Sequence, residues 1–227
     1  MGTDDLFKKR RQNRKVRKSE FRTPKANSFL IVTEGECTEP YYFEGIKKEI
    51  EKKIGGSIDI VEAPMISIEG EGCSTMRLVE KAVEIISKSH IIYQNVWIVF
   101  DKDDFNDFNE AINAAHKYGL HTAWSNQCFE YWLYLHFNYS DAPLHRNDWF
   151  NKVNELFGQY ALGNGKYEKK NNPDIFMLLN NSVGVETAIN HAKRRMSGFD
   201  VTKDKPSEYD PGTMVHLLVD SLMNYLK

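Results

Sequence analysis

Cysteine is scarce and scattered in this chain of 227 residues: only Cys37, Cys73 and Cys128 are present, and no two form a C-x-x-C pair. Disulfide frameworks and thiolate metal sites are thereby disfavoured, and a reducing cytoplasm fits best. Long apolar runs are missing too. The longest falls far short of the roughly 20 residues that a spanning helix needs, so no membrane partner is expected. The start of the chain is basic but has no apolar segment behind it, and does not read as a secretory signal. There is no internal repeat, and no low-complexity stretch beyond that basic start. What is there suits a folded domain: 41% hydrophobic and 27% charged residues, enough to bury a core without staples.

Charge is uneven. The net value is −2, but residues 1–26 hold ten Lys/Arg against three acids, +7, which leaves −9 on the rest. Within "KKRRQNRKVRK" (8–18) almost nothing is apolar, so the segment cannot offset its own ordering entropy. Its natural partner is a polyanion, with Lys8, Lys9, Arg10, Arg11 and Arg14 as candidate nucleic-acid contacts. A solvated tail that docks on an acidic body or on another subunit is the plainer alternative.

From Ser28 onward short apolar runs alternate with amphipathic ones. "SFLIVTE", "SIDIVEA", "NVWIVFD" and "LHTAWSN" read as strands. Between them, "EPYYFEGIKKEIEKK", "STMRLVEKAVEIISKS" and "DFNEAINAAHKYG" read as helices, the last stopped by Gly119. This alternation predicts an α/β fold, a doubly wound, mostly parallel four-stranded sheet with helices on both faces. "CFEYWLYLHF" resumes helical spacing, and past Tyr139 only helical patterns follow, including "GTMVHLLVDSLMNYLK". The expected organisation is a tail over 1–26, an α/β core over 27–140, and a helical extension over 141–227 packed on that core.

Two predicted strands end in acids. The first delivers Glu34, with Glu36 and Glu39 close behind; the third ends "VFDKDD", giving Asp101, Asp103 and Asp104. Ligands of open parallel sheets bind beyond the carboxyl ends of the strands. Neighbouring strands lie about 4.8 Å apart, so these carboxylates crowd, and a divalent cation relieves their repulsion. Mg²⁺ takes hard oxygen ligands, commonly one or two carboxylates with water and substrate phosphate; Mn²⁺ is an alternative. Asp101 and Asp103 have the spacing to reach one ion, and Gly35 permits a tight turn and close approach of a phosphate. The plainer account is helix capping, with Asp104 or Asn106 as the cap and Glu36 or Glu39 at a helix N-terminus.

Ser125 and Asn126 fall where the fourth strand turns into a helix, at the same sheet edge, and Glu130 on that helix is a candidate extra ligand or orienting group. His136 reads as packing rather than catalysis. In the helical half, "GNGKYEKKNNPD" offers Lys166, Tyr167, Lys169 and Lys170, and "NHAKRRMSG" offers Lys193, Arg194 and Arg195. Lys166, Lys170, Arg194 and Arg195 are candidate backbone contacts for nucleic acid, against a solvated basic face as the alternative.

Four patches in order, "LIVTEGECTEPYYFEG", "VWIVFDKDDF", "SNQCFEYWLYLHF" and "YDPGTMVHLLVDSL", together resemble RloB-like proteins of the wider Toprim-like group. The likeness runs from about Ser28 to the end. It implies that Glu34 acts as general acid/base or metal ligand, that Asp101 and Asp103 hold Mg²⁺, and that Glu39 matches the second acid of the first motif in the nuclease branch. It also implies a nuclease-like effector of phage-defence loci, with an ATPase partner. A topoisomerase would need a tyrosine nucleophile that nothing here marks, and a primase would need further domains. Phosphodiester hydrolysis with metal-activated water needs neither, so a nuclease is the economical expectation. A non-catalytic nucleic-acid-binding or sensor subunit is the alternative.

Overall fold

The computed structural model describes residues 23–54, 60–62, 75–102, 106–200 and 203–226, with backbone only for 23–27, 54 and 60–62. All four expected strands are present: β1 (Thr23–Thr33), β2 (Ile60–Glu62), β3 (Ile91–Asp101) and β4 (His121–Asn126). They pair in parallel in the order β2-β1-β3-β4. The sheet is the doubly wound α/β layout that the alternating pattern predicts. Along β1 the side chains alternate between faces as the two-residue strand period requires. Phe29 and Ile31 enter one hydrophobic core, Leu30 and Val32 the other.

Eight α-helices lie among the described residues. The helices α1 (Thr38–Ile54), α2 (Thr75–Lys88), α3 (Phe108–Lys117) and α4 (Phe129–Leu135) belong to the α/β half. They are followed by α5 (Arg146–Gln159), α6 (Ile175–Ser182), α7 (Val185–Met196) and α8 (Val215–Met223). The second core is covered by α2 and α3 through Leu78, Val79, Phe108 and Ile112. The first is larger, because the extension adds Trp149, Phe157, Phe176 and Leu218 to the side chains of α1 and α4. Gly119 ends α3 with φ +72°, a left-handed backbone that favours glycine and fits the expected stop.

Two boundaries differ from the sequence reading. β1 starts at Thr23, inside the stretch expected to be tail, because its first residues pair with Ile91–Tyr93 of a longer β3. Gly212 and Thr213, expected as the start of a helix, instead form β5, antiparallel to Ser125 and Asn126 of β4. The side chains explain the capture: Ser125 Oγ and Thr213 Oγ1 are 3.0 Å apart, and Thr213 Oγ1 donates to the Trp124 carbonyl at 3.2 Å. The last helix therefore begins at Val215, whose N–H Thr213 Oγ1 accepts.

Candidate functional site

From β1 the chain steps to β2 on one side and then crosses to β3 on the other, so the order of connection reverses at the β1/β3 boundary. Crevices form at the carboxyl ends of strands at such reversals, and the two acidic strand ends lie here. Glu34 continues the β1 ladder through its N–H, donated to the Val99 carbonyl at 2.9 Å, and its Oε2 accepts the Asp101 N–H at 3.2 Å. The first-strand acid is thus held against the tip of β3. Asp101 Oδ2 in turn accepts the Phe129 N–H at 3.1 Å. Cys128 at the N-cap of α4 supplies no side-chain bond, so Asp101 takes one of that helix's unsatisfied donors.

The bend after β1 is fixed locally. Thr33 Oγ1 donates to the Gly35 carbonyl at 2.9 Å, and the Cys37 carbonyl takes the first bond of α1 from the Tyr41 N–H. The missing Cβ of Gly35 leaves room for the Glu39 carboxylate. A Cβ built there would fall 2.0 Å from Glu39 Oε2 and 2.4 Å from its Cδ. The Glu39 carboxylate is folded back over the bend. Asp101, Glu39 and Glu130 share an open cleft of about 220 Å³ that Lys169 and Lys170 also line.

Glu130 is buried, yet it is not alone. Its Oε1 accepts the Tyr167 hydroxyl at 2.9 Å and lies 2.7 Å from Lys169 Nζ. The Tyr167 hydroxyl is also 3.3 Å from Thr38 Oγ1, which donates to the Lys169 carbonyl at 3.3 Å. The loop between α5 and α6 is thereby pinned onto the start of α1. The field of the acids shows in their neighbours. Burial, then the Glu130 and Asp101 carboxylates, push the Cys128 thiol well up, so it stays protonated and inert. Burial and Glu130 raise Tyr167 likewise, with Glu39 adding to the effect. Burial alone would lower Lys169, but Glu130 and then Asp101 outweigh it and hold the ammonium above its ordinary value.

The remaining expected residues fall as follows. Ser125 and Asn126 are buried at the sheet edge and bind the C-terminal segment, Asn126 Nδ2 donating to the Ser207 carbonyl at 3.1 Å; neither lines the cleft. Lys170 lines it, whereas Lys166 is exposed outside the lining. Arg194 stacks over Tyr139 at 4.2 Å. Arg195 stacks over Phe199 at 4.3 Å, and its guanidinium donates to the Pro211 and Asp210 carbonyls. Lys193 pairs with Asp220 at 2.7 Å. His136 is buried, with Nε2 2.9 Å from the Tyr42 hydroxyl, which is the packing role expected of it. Asp103, Asp104, Cys73 and the tail residues Lys8, Lys9, Arg10, Arg11 and Arg14 lie outside the described residues.

A divalent cation can be tested against this geometry. Among the described residues no group of three or more His, Cys, Asp or Glu side chains is gathered to hold a metal. That excludes a closed all-protein cage built from them. The donors that face the cleft are nevertheless carboxylate oxygens, and Glu39 sits over a bend where a Cβ would displace it. Mg²⁺ needs little more, since it keeps several waters and uses one or two carboxylates with substrate phosphate. The donor set fits Mg²⁺ or Mn²⁺ in that open mode.

Fold and cleft define an α/β protein with its acids at the switch point of a mostly parallel sheet, consistent with the Toprim-like layout. A family model described as RloB-like protein matches residues 29–222, and the chain belongs to the RloB-like family. No curated protein and no solved structure matches it. No helix among the described residues is long and apolar enough to cross a membrane.

Glu34 and Asp101 were legible as strand-end acids because each closes an apolar strand. The sequence does not single out Thr38 or Tyr167, and it offers Lys169 only as one of the loop lysines for a sugar–phosphate backbone, not as the partner of Glu130. Their only signal was a Lys-Lys pair in a Gly/Asn-rich loop, with nothing local to say which carboxylate it would meet.

Proposed function

We propose that this protein is a divalent-metal-dependent nuclease that hydrolyses phosphodiesters in DNA or RNA. The supporting observation is the Glu34–Asp101 junction: Glu34 accepts the Asp101 N–H at 3.2 Å, and Asp101 lines a cleft that Lys169 and Lys170 also line, with Glu34 just behind that lining. Mg²⁺ or Mn²⁺, when bound, supplies Lewis-acid polarisation of the phosphoryl group and a more acidic water. Asp101, oriented by the Phe129 N–H, and Glu39, folded over Gly35, are the ligands we assign to it, with Asp103. In hydrolysis a bond forms from water oxygen to phosphorus and the bond to one ester oxygen breaks. Glu34, held in place by the Asp101 N–H, takes the proton from the water and returns a proton to the leaving oxygen. Lys170 and the basic segment 8–18 contact the sugar–phosphate backbone. An antiviral setting with an ATPase partner belongs to the same proposal and rests on the resemblance alone.

A second reading, a non-catalytic nucleic-acid-binding or sensor subunit, is favoured by the Glu130–Lys169 pair, which already neutralises one acid. Asp101→Asn separates the two. The amide oxygen still accepts the Phe129 N–H, so folding is retained, while the charge that a cation needs is gone. Asp101→Ala would also lose the helix-capping bond, a cost of roughly 0.5–2 kcal/mol. Expected is chelator-sensitive cleavage of plasmid DNA or single-stranded RNA by the parent, measured with and without the ATPase, and loss of at least about 100-fold in D101N. Equal cleavage by D101N overturns the site. Salt-sensitive binding with no turnover under any of these conditions favours the second reading.

A further inference from the structure

Lys169 is anchored on one side and open on the other. Its Nζ lies 2.7 Å from a Glu130 carboxylate that is 3% exposed, yet its own side chain is 55% exposed and lines the cleft beside Asp101. An ammonium carries three donors; Glu130 takes one, and the geometry leaves the others for a ligand. The backbone beneath it is tied to its surroundings. Tyr167 is buried against Phe150 and Phe157 with its N–H on Asn154 Oδ1, and the Lys169 carbonyl is bound by Thr38. A lysine that served only as counter-ion to a buried acid would be expected to follow it into the interior. Lys170 stands next to it on the same wall and makes no ion pair among the described residues.

The cleft poses a charge problem to any anion. Asp101 and Glu39 disfavour a phosphate, and the two lysines that line the same cleft are what make its approach favourable. We propose that Lys169, positioned by Glu130 and assisted by Lys170, binds a non-bridging phosphate oxygen of the nucleic-acid backbone in this cleft. The proposal rests on the nuclease reading for the identity of the phosphate as a phosphodiester. Glu130 is then a positioning residue that aims the ammonium, and the pair sets where along the strand the scissile phosphate stops. Lysine acts here as a point charge on a fixed mount.

The test is binding in EDTA, where no cleavage intervenes. Fluorescein-labelled single strands of about 12 nucleotides, DNA and RNA, would be titrated by anisotropy across a salt series. Lys169→Ala should weaken binding several-fold and lower the salt slope by about one, the signature of one lost phosphate contact, and Lys169→Arg should restore the slope. Glu130→Gln, whose amide oxygen still accepts from the ammonium and keeps its aim while one negative charge is removed, should bind as well as the parent or better, and binding as weak as that of Lys169→Ala would overturn the positioning role. The double variant Glu130→Gln/Lys169→Ala should behave like Lys169→Ala. The proposal is overturned if Lys169→Ala keeps the parent's affinity and slope, if the double variant regains parental binding (a counter-ion role only), or if the parent binds neither strand. A parent that binds with the expected slope but cuts nothing overturns the nuclease reading and leaves the Lys169 contact standing.

Discussion

Gly35→Ala gives a sharp separation of site geometry from stability. Gly35 is not left-handed, so alanine meets no torsional penalty; the conflict is with the Glu39 carboxylate, 2.0 Å from the new Cβ. Ordinary contact requires about 3.5 Å, so the carboxylate must retreat by roughly 1.5 Å. It sits at the far end of a flexible side chain, and an off-rotamer adjustment costs about 0.5–1.5 kcal/mol. Alanine also stiffens the unfolded chain, which returns about 0.4–1 kcal/mol. The two nearly cancel, and a melting shift of no more than about 4 °C is expected. Function has no such compensation. Mg²⁺ demands oxygen ligands at about 2.0–2.1 Å, and a carboxylate moved by over 1 Å no longer reaches. Mn²⁺ titration followed by electron paramagnetic resonance should show affinity weakened at least about tenfold. Adding Glu39→Ala to Gly35→Ala should lower it little further, since the first change already removes the second group's contribution. Unchanged Mn²⁺ affinity in Gly35→Ala would refute the assignment of Glu39. A melting loss beyond about 8 °C would show instead that the bend itself needs glycine.

Burial holds the His136 imidazole down to about 3, against an ordinary 6.5. Between those values the unfolded chain binds a proton that the native chain does not, so stability falls as pH drops through that window, by about 2 kcal/mol from pH 7 to 5. Burial lowers His216 as well, and its contribution has the same sign. Urea denaturation at the two pH values should show the loss, and His136→Gln should reduce it; an identical loss in the variant would exonerate His136. Tyr167→Phe removes the hydroxyl that Glu130 accepts at 2.9 Å. The expected cost is roughly 1.5–3 kcal/mol, because the partner is a charged buried group. A variant within 0.5 kcal/mol of the parent (on the order of surface substitutions) would mean that Lys169 alone satisfies Glu130.

The layers of this fold were readable because strand and helix periods are local. "FLIV" and "VWIVF" are apolar on both faces, as strands buried between helix layers must be, and the cores on either side divide their residues by parity. Glu34 and Asp101 were readable for the opposite reason: charge directly after such a run has to face a ligand, a helix end or water. The pairing of Glu130 with the loop was not readable, since Glu130 meets Tyr167 and Lys169 only through the packing of α5 and α6 on the first core. Nor was β5 readable. Two residues carry no period, and what makes Gly212–Thr213 a strand is the Ser125 hydroxyl waiting on β4. Arg195 shows the same limit from another side. Its charge suggested a ligand, but an aromatic ring and two backbone carbonyls hold it in place.

Thr38 and Lys169 are joined across 131 positions of chain, and this separation orders events during synthesis. Strand tips carrying Glu34 and Asp101 leave the ribosome long before the lysines that face them. Closing so wide a loop is slow relative to pairing neighbours. In the order of synthesis the acidic strand tips therefore precede the lysines that line the same cleft, and the bond between Thr38 and the Lys169 carbonyl has to wait for them.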